Sequence, residues 1–207
     1  MKVKVCGITQ LDQLQSLKAL GADYAGLIFY PRSKRMVMGR LHKETVCEVA
    51  DVQKVGVFVD GNVQEISYAV NEYDLQAIQL HGSETPAICG ALRQHAAVIK
   101  ALAVRGGINL DELARPFLSH VDYLLFDTDK MGVSGGTGKK WDWRLLETYT
   151  LQKPFFLSGG ITPNDASVIK SVTHPQLYAI DINSGFESAP GIKDMNAVQQ
   201  FINDLTC

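Results

Sequence analysis

Pro154-Phe155-Phe156-Leu157-Ser158-Gly159-Gly160 and, one helix later, Tyr178-Ala179-Ile180-Asp181-Ile182-Asn183-Ser184-Gly185 are the stretch that decides the fold. Each begins as a near-continuous apolar run, the pattern of a parallel strand covered on both faces. Each ends in a glycine turn. Between them Thr162-Pro163-Asn164-Asp165 reads as a helix start, with Thr162 as N-cap and Pro163 in the first turn. Glycines let backbone N–H groups approach an anion closely, and a helix start adds its dipole. Two such turns on successive late strands are where a (β/α)8 barrel commonly builds a phosphate site.

Working outward, the same strand–turn–helix unit recurs. Strands are expected at Lys2–Cys6, Tyr24–Phe29, Lys54–Val59, Ala77–Leu80, Val98–Leu102, Tyr123–Asp127, Pro154–Ser158 and Tyr178–Ile182. Eight units in 207 residues leave about 26 for each, near the lower size limit of a single-domain (β/α)8 (TIM) barrel spanning 1–207. An open doubly wound sheet also alternates strands and helices. No Gly-x-Gly-x-x-Gly follows the first strand, which weakens its dinucleotide-binding form.

Local signals place the helices. Thr9-Gln10-Leu11-Asp12 resembles a capping box with Asp in place of Glu. Leu14, Leu17 and Leu20 then form an apolar stripe that Gly21 stops. Met195, Val198, Phe201, Ile202 and Leu205 give a last helix over 194–205 its core face. Lys130–Lys139 is glycine-rich and reads as a mobile loop.

Composition excludes several function classes. A formal net charge of -2 carries no nucleic-acid signature. No apolar run approaches a membrane span, and the N-terminus opens as a strand with no signal-peptide core, so the expected setting is cytoplasmic. The four cysteines, Cys6, Cys47, Cys89 and Cys207, form no Cys-x-x-Cys pair, which leaves redox and zinc motifs unsupported. Cys47 and Cys89 fall in helical patterns and read as buried small hydrophobes. Cys207 reads as a frayed terminus.

Two reactive side chains close strands far apart in sequence. Cys6 ends the first and Asp127 the sixth. In a parallel barrel all strand C-terminal ends share one face, and that face carries the chemistry. A thiol, ordinarily titrating at about 8.5, needs only a small depression to act as a base, although an isolated cysteine is more often plain core. Partial burial would keep a carboxyl such as Asp127 protonated for donation; a helix cap is its ordinary alternative. In Pro31-Arg32-Ser33-Lys34-Arg35, one guanidinium turned inward would match a carboxylate with two parallel hydrogen bonds. His81 closes the fourth strand and either meets substrate or satisfies a loop carbonyl. Asp181, an acid among apolar neighbours, needs a partner. Trp141 and Trp143 read as packing anchors.

The ordered blocks resemble the phosphoribosylanthranilate isomerase family of tryptophan biosynthesis nearly end to end. Lys4-Val5-Cys6-Gly7-Ile8-Thr9, Val55-Gly56-Val57-Phe58, Gln79-Leu80-His81-Gly82, Gly135-Gly136-Thr137-Gly138 with Asp142-Trp143, Leu157-Ser158-Gly159-Gly160, Asp181-Ile182-Asn183-Ser184-Gly185-Phe186-Glu187 and Pro190-Gly191-Ile192-Lys193-Asp194 carry the likeness. It implies an aldose–ketose isomerase that performs an Amadori rearrangement with no cofactor and no metal. By matching position, Cys6 is the general base, Asp127 the general acid and Arg35 the reader of the anthranilate carboxylate. Beside these matched positions, His81 and Asp181 are candidate substrate contacts, and the two glycine turns make Gly159, Gly160, Asn183, Ser184 and Gly185 the candidate phosphate site. Asn183 stands where many members have serine and some asparagine; an amide still offers a donor. The implied partner is a small phosphosugar, with no nucleic acid or membrane. Some relatives are fused to the next enzyme of the pathway, so both a free-standing monomer and one part of a fused chain fit the resemblance. Two rival readings remain: a related phosphoribosyl isomerase of histidine biosynthesis, which uses aspartate at the end of the first strand, and a non-catalytic phosphate-binding barrel.

Overall fold

The computed structural model describes residues 1–128 and 140–206. Eight parallel strands close into a barrel. They are β1 Lys2–Cys6, β2 Tyr24–Ile28, β3 Gln53–Phe58, β4 Ala77–Leu80, β5 Ala97–Val104, β6 Tyr123–Thr128, β7 Phe155–Leu157 and β8 Leu177–Ile182. Closure is direct: β1 pairs with β2 on one side and β8 on the other, with Lys4 opposite Asp181 across the β1–β8 seam. The helices α1 Leu11–Ser16, α2 Lys43–Cys47, α3 Val63–Glu72, α4 Pro86–Leu92, α5 Leu110–Ala114, α6 Ala166–Lys170 and α7 Met195–Thr206 cover the outside. After β6 the covering segment is a 3-10 helix, Trp143–Thr148. An antiparallel hairpin, β9 Glu187–Ala189 and β10 Ile192–Lys193, follows β8 and has no counterpart among the expected elements.

The outward faces of the strands and the helices share one core that includes Val3, Val5, Ile78, Leu80, Phe126, Phe155, Leu157, Ile180 and Ile182. The barrel interior is a second, smaller core. Tyr24, Val55, Ala77, Ile99, Leu125, Phe156 and Ala179 fill its lower part, and the Tyr24 and Tyr178 hydroxyls meet at 2.8 Å. Toward the strand C-termini the buried side chains become polar: Lys4, Gln79, Asp127, Ser158 and Asp181. Buried polar groups persist only when partnered, so this gradient marks the end where the structure spends its polar contacts.

Several local expectations change. Thr9 does not cap α1. Gln10 is the N-cap and makes no side-chain cap bond, while the Thr9 hydroxyl donates to the Gly191 carbonyl at 2.6 Å. The hydroxyl that would accept a backbone N–H in a cap is instead fixed by a tertiary bond in which it donates. Helix α1 is α-helical only to Ser16, and Gly21 ends the following turns in the left-handed region at φ 88°. At the other start Thr162 is the N-cap and Pro163 lies in the first turn, as expected, and Asp165 adds a reciprocal capping box with Thr162. Cys89 is buried, but Cys47 is exposed, because α2 is a five-residue helix too short to bury a full face. Trp141 is buried and donates its indole N–H to the Ser158 carbonyl at 2.9 Å, and Trp143 packs on the core, so both anchor. The loop expected over Lys130–Lys139, with the glycine block 135–138, and the terminal Cys207 lie outside the described residues.

Candidate active site

Parallel closure brings the ends of all eight strands to one rim, and the candidate residues follow it. Cys6 is the last residue of β1, alternating inward with Lys4. Its neighbour across the ladder is Gly26. A methyl group at Gly26 would lie 2.7 Å from the Cys6 sulfur, so glycine there is what gives the thiol its space. Burial pushes the Cys6 thiol up from its ordinary value; Lys4 and Lys193 pull it back, and Asp181 pushes it further up.

Asp127 lies in β6, one residue from its end, and is buried. One carboxylate oxygen accepts the Thr128 N–H at 2.7 Å. The other lies 3.2 Å from Nε2 of His81. The second ring nitrogen of His81 is 2.8 Å from the Gln79 amide. Gln79, buried in β4, therefore orients His81, and His81 steadies Asp127. His81 does not satisfy a loop carbonyl: its partners are the Gln79 amide and the Asp127 carboxyl.

Arg35 is the inward member of its basic cluster, while Arg32 and Lys34 are exposed. Glu187 in β9 grips it: Nε donates to both carboxylate oxygens at 2.8 and 3.0 Å, and Nη2 to one at 2.6 Å. This uses one edge of the guanidinium. Glu187 also accepts from Lys193 Nζ at 2.8 Å and from the Gly191 N–H at 3.1 Å. Burial alone would raise its carboxyl, but the Arg35 hydrogen bond and the charge of Lys193 outweigh burial and hold it below the usual carboxylate range. The hairpin is tied down at its other side by Gln13 of α1, which exchanges two hydrogen bonds with the Lys193 backbone.

The two glycine turns sit beside these groups. Gly159 and Gly160 both adopt positive φ, 101° and 69°, which favours glycine on steric grounds. A methyl group on Gly159 would stand 3.0 Å from an Asp127 oxygen, so the first turn abuts the acid. Ser184 and Gly185 open a 3-10 turn, Ser184–Phe186, and Asn183 before it accepts from Lys193 Nζ at 2.8 Å. Asp181 has the partner its position required: Lys4 Nζ at 2.8 Å, both groups buried. Its second oxygen faces the Ser158 hydroxyl at 3.3 Å. Among the described residues no group of three or more His, Cys, Asp or Glu could hold a metal ion, and no helix is long and apolar enough to cross a membrane.

The sequence profile of the N-(5'phosphoribosyl)anthranilate (PRA) isomerase family matches residues 3–204. The chain belongs to that family. Among its PRA isomerase relatives, that of Parabacteroides distasonis is 38% identical over 99% of this chain and 93% of its own length. That of Phocaeicola vulgatus is 39% identical over 99% and 98%. The crystal structure of the Thermotoga maritima PRA isomerase superposes with a TM-score of 0.86 at 32% identity, covering 100% of this chain and 98% of that one. A further PRA isomerase structure, solved in complex with reduced 1-(o-carboxyphenylamino)-1-deoxyribulose 5-phosphate, gives 0.80 at 29% identity over 100% and 98%. Lys4, Gln79, Glu187 and Lys193 also stand at this rim, and in the sequence they are only letters of the PRA isomerase blocks. Lys4 and Gln79 are polar residues inside apolar strands, a pattern that does not name their partners, and Glu187 and Lys193 lie in a hairpin too short to show a strand pattern.

Proposed function

We propose that this barrel converts N-(5-phosphoribosyl)anthranilate to 1-(2-carboxyphenylamino)-1-deoxyribulose 5-phosphate, with Asp127 as general acid and Cys6 as general base. One observation carries the reading: a thiol and a carboxyl, both buried, stand at the ends of β1 and β6 on the same rim of a closed parallel barrel. Asp127 protonates the furanose ring oxygen, the C1′–O bond breaks, and the nitrogen lone pair forms an iminium with C1′. That cation acidifies the C2′ proton. Cys6 removes it as a thiolate; the C–H electrons become a C1′–C2′ double bond and the iminium π electrons return to nitrogen. The resulting enolamine gains a proton at C1′ and loses one from the 2′-hydroxyl, leaving the ketone. The iminium is itself the electron sink, so the reading needs no metal or cofactor.

Other residues fit this substrate class. Glu187 occupies one edge of Arg35, and the second edge of a guanidinium can still grip an anthranilate carboxylate with two parallel bonds. His81, whose side chain is 32% exposed against 8% for Asp127, faces the rim and holds the acid at once. Gly159, Gly160, Asn183, Ser184 and Gly185 receive the phosphate, and Asp181 lies one row beneath the reacting atoms. Function inside the cell interior, on a small phosphosugar, accords with this chemistry.

Two variants test the assignment. Cys6→Ser and Asp127→Asn should each fold and should each lose about 10²–10⁴-fold in turnover, the usual contribution of a general acid or base. The assay is loss of substrate fluorescence with freshly made phosphoribosylanthranilate. Near-native turnover in either folded variant removes that residue from the mechanism.

A further inference from the structure

A thiol in a buried rim position is a poor base unless something stabilises its anion. Lys4 and Cys6 project from β1 to the same side, two residues apart. Lys4 is 0% exposed, far from the solvated position a lysine ordinarily takes. Directly across the seam stands Asp181, its register partner, with an oxygen 2.8 Å from Nζ. An ammonium has three N–H donors, so a single carboxylate oxygen does not exhaust it.

We propose that the buried Lys4–Asp181 pair sets the ionisation of Cys6, with Lys4 supplying the positive charge that the thiolate needs and Asp181 limiting it. This rests on the reading of Cys6 as the base, but it concerns the thiol itself and is measured without turnover. Lys4 is thus a positioning residue acting through Cys6.

Among the described residues, four charged groups act on Cys6: Lys4 from β1, Asp181 from β8, Lys193 from β10, and Arg35 from the loop after β2. The two rim cations, Arg35 and Lys193, share the single carboxylate of Glu187 at 2.6 and 2.8 Å. Lys4 differs in standing on the same strand and the same face as Cys6, two residues away, and after burial its charge is the largest influence on the thiol. Burial by itself would lower the Lys4 ammonium, yet the charges of Asp181 and Cys6 outweigh it and keep it raised. Lys4 is therefore held on the charged side by its pairing with Asp181. Asp181 works in two directions: it holds Lys4 in place and charged, and its own negative charge opposes the thiolate.

The test is a pH titration of thiolate absorbance near 240 nm, with each protein measured against its own Cys6→Ser counterpart so that only Cys6 is seen. Lys4→Met, similar in length and uncharged, should move the Cys6 midpoint upward by about one pH unit or more, the scale for removing an opposite charge at contact range. Asp181→Asn should move it downward. Lys4→Arg should restore most of the parent position. If Lys4→Met alone fails to fold, because it strands a buried carboxylate, Lys4→Met/Asp181→Asn removes both charges; Lys4 outweighs Asp181, so a smaller upward shift is expected. Opposite shifts in the single variants, or the net upward shift in the double, uphold the proposal. An unchanged midpoint, or shifts of the same sign, overturn it. The reading of Cys6 as base is judged separately: the rising limb of kcat/KM should follow the thiol midpoint. A limb that stays put while the thiol moves removes Cys6 as base and leaves the charge device standing.

Discussion

Gly26 faces Cys6 across the β1–β2 ladder so closely that one added methyl group would sit 2.7 Å from the sulfur and 2.9 Å from the Cys6 Cα. The second contact is to backbone, which cannot swing aside as a flexible side chain can. The absence of a side chain on one strand thus defines the place of the reactive group on the next.

Gly26→Ala should therefore displace the thiol. We expect a large fall in kcat, on the order of tenfold or more, since misplacement by about 1 Å can cost a hundredfold. KM should change less. A crystal structure of the variant should show Cys6 moved. A parent-like kcat in the folded variant would mean that the seam relaxes without disturbing the base.

The clamp of Glu187 on Arg35 gives a prediction in acid. The Glu187 carboxyl is held below the usual range in the folded protein, so its stabilising contribution is fully present above the unfolded value of about 4.3 and is lost as pH falls through the lower folded value. Glu187→Gln should be less stable than the parent near neutrality, and the gap should close as the solution is acidified through that window. Denaturant unfolding at a series of pH values measures it. The same variant should raise KM, because Arg35 loses the group that aims it. A stability gap that is constant with pH would show that the clamp is not electrostatic.

Much of the scaffold could be read directly, and the reason is physical. Parallel strands buried on both faces write apolar runs such as Tyr123–Phe126 into the sequence, and the eight expected strands fall within a few residues of the observed ones. The hairpin β9–β10 could not be read that way. Its strands are three and two residues long, with no alternation to detect. They are held by Thr9, Gln13 and Arg35, all more than a hundred residues away in sequence. The same loss explains Thr9, whose local pattern suggests a cap while a distant carbonyl takes its hydroxyl.

In the site, position along the strand was the legible signal. Cys6 and Asp127 are strand-end residues, and the glycine turns follow strand ends. Lys4 was not legible by itself, because a lysine in a strand is by default a solvated residue, and its partner Asp181 lies 177 positions away. Cys47 failed for the opposite reason: a helical pattern promises burial only when the helix is long enough to present a face.

His81 supplies a third prediction. It lies 3.2 Å from Asp127 and is itself set by Gln79 at 2.8 Å. His81→Asn should lower kcat on the order of tenfold, less than the 10²–10⁴-fold expected for loss of the acid itself. Gln79→Ala, one step further out, should do less still. A loss at His81 equal to that of Asp127→Asn would place the imidazole in the proton transfer rather than beside it.

The last prediction joins the phosphate turn to the acid. Gly159 has φ 101°, a conformation that strains any residue with a Cβ. Its missing side chain also leaves room for the end of β6: a methyl group there would lie 2.7 Å from the Thr128 backbone nitrogen and 3.0 Å from an Asp127 oxygen. The Thr128 N–H is itself a donor to that carboxylate. Gly159→Ala should consequently damage two functions together. KM should rise, because the turn that receives the phosphate is distorted, and kcat should fall, because Asp127 is pushed from its place. Gly160→Ala, also at positive φ and one residue further along the turn from the end of β6, should raise KM with a smaller effect on kcat. Inorganic phosphate, as a competitive inhibitor of the parent, separates the two effects: its inhibition constant should weaken in both variants, while only Gly159→Ala loses turnover at saturating substrate. If Gly159→Ala raises KM alone, the turn and the acid are independent despite their proximity. If phosphate at high concentration leaves the parent rate untouched, the anion site lies away from this turn.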